Sequence, residues 1–213
     1  VISGLVQFAL VCLTSIFFLV DPIAAVPTFL AMTADEPEAS RRRTARRASV
    51  TCFIVLTAFG LAGALIFQIF GITLPAFKIA GGIILLLIGL EMLQARRSQT
   101  KETPAETEAG LEKEDAGIIP MGVPMLAGPG AISTVMVLQS QSTGWLHSLI
   151  VFSAIALTAA ASYLILAAAS RVSRIIGDTG IRIMMRMMGL LLTAIAIQFI
   201  VNGLTDLGVI ARH

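Results

Sequence analysis

The sequence predicts an all-α membrane protein of six transmembrane helices, arranged as two inverted-topology three-helix repeats with broken first and fourth helices. Three observations carry this reading. The chain is 56% hydrophobic and 13% charged, about half the charged share of a soluble domain. Its apolar residues gather into six runs of membrane-crossing length, which leaves little of the 213 residues for anything else. Proline-broken stretches interrupt the first and fourth runs, and Pro22 and Pro129 are related by a shift of 107 (129 − 22).

The runs are Ser3 to Ala31, Ala48 to Phe70, Leu74 to Leu93, Ile118 to Gln139, Trp145 to Ala169 and Ile181 to Leu204. At 1.5 Å per residue the first would be roughly 43 Å long, against a hydrocarbon core of about 30 Å. It must tilt, break or extend past the interface, and Asp21-Pro22 and Pro27 favour a break. It has no basic leader and no Ala-x-Ala site after it, so it is expected to be a retained span rather than a signal peptide.

Lys and Arg set the orientation. The first connection holds Arg41, Arg42, Arg43, Arg46 and Arg47, the third Arg96, Arg97, Lys101 and Lys113, and the fifth Arg171 and Arg174. The second and fourth hold none. Odd connections are therefore expected in the cytoplasm and both termini outside. Residues 96–117 are rich in Glu, Lys, Thr and Ala without apolar periodicity, and read as a flexible cytoplasmic linker between repeats at 1–95 and 118–213.

Three spans is an odd number, so the second half enters the membrane from the opposite side. The 107-residue shift that pairs Pro22 with Pro129 also pairs Ala24 with Ala131, Gly82 with Gly189, Leu85 with Leu192, Ile88 with Ile195 and Glu91 with Gln198. Repeats of this kind place a substrate site near the midplane, where broken helices meet.

The breaks define the candidate site. After each, a new half-helix presents free N–H groups at the positive end of its dipole, which suits an anion. The amides after Pro27, at Thr28 and beyond, and those of Gly130, Ala131 and Ile132 are placed there, and Gly128 and Gly130 permit close backbone approach. Ser133 and Thr134 add hydroxyls, while carbonyls released before Pro22 and Pro129 can accept from an ammonium or bind a cation. The ligand that matches is a small zwitterion.

Asp21 is the one acidic residue placed near mid-membrane, where a carboxylate is costly and points to function. It also suits the N-cap of a half-helix beginning at Pro22, and both roles can hold. Glu91 and Lys78 are further coupling candidates, although each lies near a span end, where snorkelling accounts for Lys78 and snorkelling or pairing with Arg96 or Arg97 accounts for Glu91. Gln198 is read as buried, bonding across helices or lining the site.

Other classes find little support. A net charge of +2 gives no case for nucleic acid. Cys12 and Cys52 lie in apolar runs and read as packing residues. The spans hold no His cluster and no Ser–His or Cys–His pairing, so no metal, cofactor or enzymatic activity is expected.

Four blocks go further: Asp21-Pro22-x-x-x-x-Pro27-x-Phe29-Leu30; Ala76-Phe77-Lys78-Ile79-Ala80-Gly81-Gly82; Pro124-x-x-Ala127-Gly128-Pro129-Gly130-Ala131-Ile132-Ser133; and Gly177-x-x-Gly180 with Arg186-x-x-Gly189 and Ala194-Ile195-x-x-Gln198. In these the chain resembles the MarC family, also called the SnatA or neutral amino acid transporter family. The resemblance implies a six-span inner-membrane protein of bacteria or archaea that transports small neutral amino acids such as glycine and alanine. Many members have Gly, often followed by Asn, where this chain has Ala24-Ala25.

The expected function is a secondary transporter of small neutral amino acids working by alternating access, coupled to H+ or Na+. Its partners would be a small zwitterionic substrate, membrane lipids and the coupling ion. The alternative is an exporter or facilitator of another small polar metabolite.

Overall fold

The computed structural model describes residues 2–33, 36–94 and 121–210, and these are helical with no strand among them. The expected linker at 96–117 lies outside the described residues. The helices are α1 (Ile2–Val20), α2 (Val26–Met32), α3 (Glu38–Phe70), α4 (Leu74–Leu93), a π-wound segment at Met121–Leu126, α5 (Pro129–Ser140), α6 (Trp145–Ala167) and α7 (Ala169–Asp206). By length and composition four can cross a bilayer: Glu38–Gly63 of α3, α4, α6 and Met185–Asp206 of α7. The first and fourth expected spans are broken, into α1 and α2 and into the π-wound segment and α5.

Local chemistry explains the boundaries. α3 ends where Gly71 takes a left-handed φ of 62° and the Ile72 amide donates back to Phe67 O at 3.0 Å. Thr73 then caps α4 by accepting from the Ala76 amide, with Pro75 in the first turn where its missing N–H costs nothing. The expected connection around the five arginines is largely helical. α3 starts at Glu38 and carries the arginines as its first turns, being about 50 Å long at 1.5 Å per residue. Arginine is a good helix former, so the helix runs on beyond the apolar stretch. α7 bends at Gly177, whose φ of 64° and ψ of 167° are non-helical and open to glycine.

Arg41 joins distant elements. Its Nη2 donates to Thr33 O at 2.9 Å, at the end of α2, and its Nη1 donates to Ser170 Oγ at 2.8 Å, in the first turn of α7.

α4 and α7 run antiparallel along a seam of glycines. A Cβ built on Gly82 would meet Ala196 O at 2.8 Å and Ile200 N at 3.2 Å. One on Gly189 would meet Gly89 O at 2.8 Å and Leu93 N at 2.7 Å. One on Gly203 would meet Pro75 O at 2.8 Å. In lipid there is no hydrophobic drive between helices, so association rests on such close backbone packing. At the Gly203 end of the seam, Lys78 Nζ contacts Asp206 Oδ2 at 2.7 Å. The Lys78 side chain is 11% exposed, so it is held inward by an ion pair instead of snorkelling outward as expected.

The rest packs around this pair. α5 lies against α1, α3 and α4, α6 lies against α1 and α3, and α2 lies against α7. The core runs through Ile16 and Val20 of α1, Leu56 of α3, Leu85 and Ile88 of α4, Val135 of α5, Ile155 of α6 and Leu192 of α7. Cys12 and Cys52 are buried within it.

Two outcomes follow. Gly82→Ala and Gly189→Ala each press a methyl onto a facing backbone and should destabilise by about 1–3 kcal/mol. Gly4→Ala, with nothing within 4 Å, should not; denaturation in detergent micelles reads the difference. Asp206→Asn leaves the Lys78 ammonium without its counter-charge and should cost about 1–2 kcal/mol, reduced by partial exposure. A Lys78→Met and Asp206→Leu double substitution should recover most of that loss in the same assay.

Candidate functional site

The first break is built by Asp21. It sits at φ 50°, the one non-glycine residue at positive φ among those described, and it is 4% exposed. Asp tolerates this left-handed conformation because its short side chain bonds locally. The Asp21 amide completes the last turn of α1 by donating to Phe17 O at 2.9 Å. Its Oδ1 accepts from the Ala24 amide at 3.2 Å and its carbonyl from the Ala25 amide at 3.4 Å, while the Val26 amide donates to Ile23 O at 3.1 Å. Pro22 brings no N–H to satisfy.

The half-helix therefore begins at Val26, beside Pro27, and not at Pro22 as the N-cap reading of Asp21 has it, because Asp21 ties residues 22–25 into a turn. Pro27 lies in the first turn of α2, with Thr28 buried beside it.

The second break is built differently. The Ala127 amide reaches back to Gly122 O at 3.0 Å, Val123 is extended, and Gly128 N-caps α5 at φ −78° and ψ 169°. Gly128 offers no side chain as a cap. Pro129 is the first helical residue and lacks an N–H. The Ile132 amide closes the first turn on Gly128 O at 3.0 Å, so its expected place among the free donors is corrected. Gly130 and Ala131 remain, two buried residues whose N–H groups have no intrahelical acceptor.

The hydroxyls divide in the same way. Ser133 Oγ donates to Pro129 O at 2.7 Å, and Ser133 faces Gly81 of α4, where a built Cβ would lie 3.0 Å from Ser133 Cβ. Thr134 is fully buried, and among the described residues its Oγ1 has no hydrogen-bond partner. The two breaks abut: a Cβ on Gly130 would lie 2.5 Å from Leu85 Cδ2 and 3.8 Å from Leu19 Cδ2, two residues before Asp21.

The structure thus brings together Pro129, Gly130, Ala131, Ser133 and Thr134 with the α1 end that leads into Asp21. It does not bring Gln198 to them. Gln198 is exposed, not buried, and bonds Asn202 on its own helix, Nε2 to Oδ1 at 2.7 Å. Hydropathy reports depth in the bilayer and not which face a residue occupies. Glu91 is half-buried near the far end of α4, and its expected partners Arg96 and Arg97 lie outside the described residues. Lys78 is engaged by Asp206, a residue that sequence reasoning passed over. The signal was present: antiparallel α4 and α7 put positions 78 and 206 at one end.

Comparison with known proteins adds the family. The profile described as MarC family integral membrane protein matches residues 6–207. The chain belongs to the MarC family. A UPF0056 membrane protein of Methanocaldococcus jannaschii is 41% identical over 198 residues, covering 93% of this chain and 96% of the relative. One from Aquifex aeolicus is 35% identical over 193 residues, covering 91% and 90%. YhcE of Escherichia coli, also a UPF0056 membrane protein, is 34% identical over 189 residues, covering 89% and 88%. No solved structure matches. The protein is accordingly an integral membrane protein with several apolar helices, with relatives in archaea and bacteria.

An unpartnered buried hydroxyl carries a desolvation cost of about 1–3 kcal/mol. Thr134→Val should therefore stabilise the ligand-free protein, by about 1 kcal/mol. Ser133→Ala removes a made bond and should not stabilise it. Melting temperatures of the two purified variants give the comparison.

Proposed function

We propose that this MarC protein is a secondary transporter of small neutral amino acids of the glycine and alanine type. The observation that carries the proposal is the unequal pair of abutting helix breaks. One holds a buried carboxylate at Asp21, and the other presents two buried amides without intrahelical acceptors at Gly130 and Ala131. The substrate carboxylate is assigned to those amides at the positive end of the α5 dipole, with the Thr134 hydroxyl beside them. The ammonium is assigned to Asp21 and neighbouring carbonyls, with Pro22, Pro27, Thr28 and Gly128 shaping the other wall.

The transport cycle in this reading is alternating access between inverted halves at 1–95 and 118–213, joined by the segment 96–117. The seam supports it. Shifting Gly82 by 107 gives Gly189, and shifting Ala196 and Ile200 back by 107 gives Gly89 and Leu93. The contacts of Gly82 with Ala196 O and Ile200 N thus become those of Gly189 with Gly89 O and Leu93 N, carbonyl for carbonyl and amide for amide. The packing of α5 on α3 has its counterpart in that of α1 on α6. A two-fold axis in the membrane plane produces such pairs. With the arginine-bearing connections in the cytoplasm, both termini lie outside a prokaryotic plasma membrane.

The coupling ion in this reading is H+ or Na+, with Asp21 as the proton carrier in the first case. Asn at position 21 can still accept from the Ala24 amide, so Asp21→Asn should fold. In proteoliposomes with an imposed proton gradient, it should abolish uphill uptake of labelled glycine or alanine. Downhill exchange should survive. Undiminished uphill uptake by the variant would end the proton-coupling role.

A further inference from the structure

We propose that the outward face of α7 pairs with a second copy of this chain, through a seam centred on Gln198. α7 has two faces. The glycine face, with Gly189, Ala196 and Gly203, is used up by α4. The other face carries Met187, Leu191, Ala194, Gln198 and Val201, all exposed. Their spacings are four, three, four and three residues, the heptad pattern of helices that pack with a shallow left-handed crossing.

Gln198 and Asn202 make this face different from a lipid-facing one. Counted from the middle of Met185–Asp206, they lie roughly 4 Å and 10 Å off centre at 1.5 Å per residue, within the ~15 Å half-thickness of the hydrocarbon. The exposed carboxamides at other described positions, Gln7, Gln68, Gln94 and Gln141, lie within two turns of a helix end or just past one, where water is close. Between them, Gln198 and Asn202 have one side-chain hydrogen bond, to each other. Each carboxamide offers two donors and an acceptor, so most of this capacity faces outward. Acyl chains have nothing to accept or donate.

The occupant follows from the chemistry. A carboxamide is its own complement, being donor and acceptor at once. A two-fold axis along the membrane normal places Gln198 of one copy opposite Gln198 of the other at the same depth, in the parallel arrangement that the heptad spacing fits. Polar residues in an otherwise apolar seam fix register and partner number. Ala194, one turn away, lets the backbones come close.

The test uses the full chain, labelled and reconstituted into phosphatidylcholine–phosphatidylglycerol vesicles over a range of protein-to-lipid ratios. Energy transfer and single-molecule photobleaching should show reversible dimers. Gln198→Leu should weaken dimerisation at least tenfold although it makes the face more apolar. Ala194→Phe, which blocks close approach without touching the carboxamides, should weaken it as well. Gln198→Cys, in a chain with Cys12 and Cys52 replaced by Ala, should form an inter-chain disulfide under mild oxidant. Monomers at every ratio would overturn the proposal. So would dimers indifferent to both Gln198→Leu and Ala194→Phe, or a Gln198→Leu chain that pairs normally while losing uptake, which would place Gln198 on the substrate path.

Discussion

Inside hydrocarbon a backbone N–H or C=O has no water to turn to, and each unmatched group costs several kcal/mol. In the proposed function the two helix breaks have to answer that constraint. At the first break the answer is internal. Asp21 uses its side chain and its carbonyl to take the amides of Ala24 and Ala25, and the prolines remove two donors from the account. At the second break no side chain answers, and the amides of Gly130 and Ala131 are left in a buried position. One break is finished by the chain itself, and the other is finished in the proposed function by a ligand.

The seam between α4 and α7 gives those breaks a fixed wall. Glycine contacts at both ends and in the middle bring the two backbones together, and Lys78 with Asp206 closes one end electrostatically. α5 leans on this wall through Ser133 against Gly81 and Gly130 against Leu85. The N-terminus of α5 thus packs directly against α4, at Gly81 and at Leu85.

Much of this was legible beforehand. α4 has the expected bounds because the helix coincides with the apolar run Leu74 to Leu93. The breaks were legible because proline removes a donor wherever it stands. The N-cap reading of Asp21 puts the start of a half-helix at Pro22 because Asp-Pro resembles a cap followed by a first helical residue. Only the bonds from Ala24 and Ala25 show that a turn intervenes. The helical arginine stretch of α3 was missed because hydropathy sees the membrane and not the helix. Gln198 was read as buried because it lies deep in an apolar run, yet depth carries no information about which face is covered. The Lys78–Asp206 pair joins residues 128 apart in sequence, beyond any local pattern.

Arg41 has a mechanical consequence. α2 is seven residues long, and the carbonyl at its end and the hydroxyl of Ser170 share one guanidinium. A tilt of that short rod has to carry the Arg41 side chain of α3 and the first turn of α7 with it, or break one of those two hydrogen bonds. Gly177 stands between Ser170 and the glycine seam, in a conformation that leaves open space around it. The start of α7 can therefore travel with α2 while the remainder stays locked to α4. Arg41 thus ties the end of α2 to the start of α7, and the kink at Gly177 separates that start from the stretch held against α4 by the glycine seam.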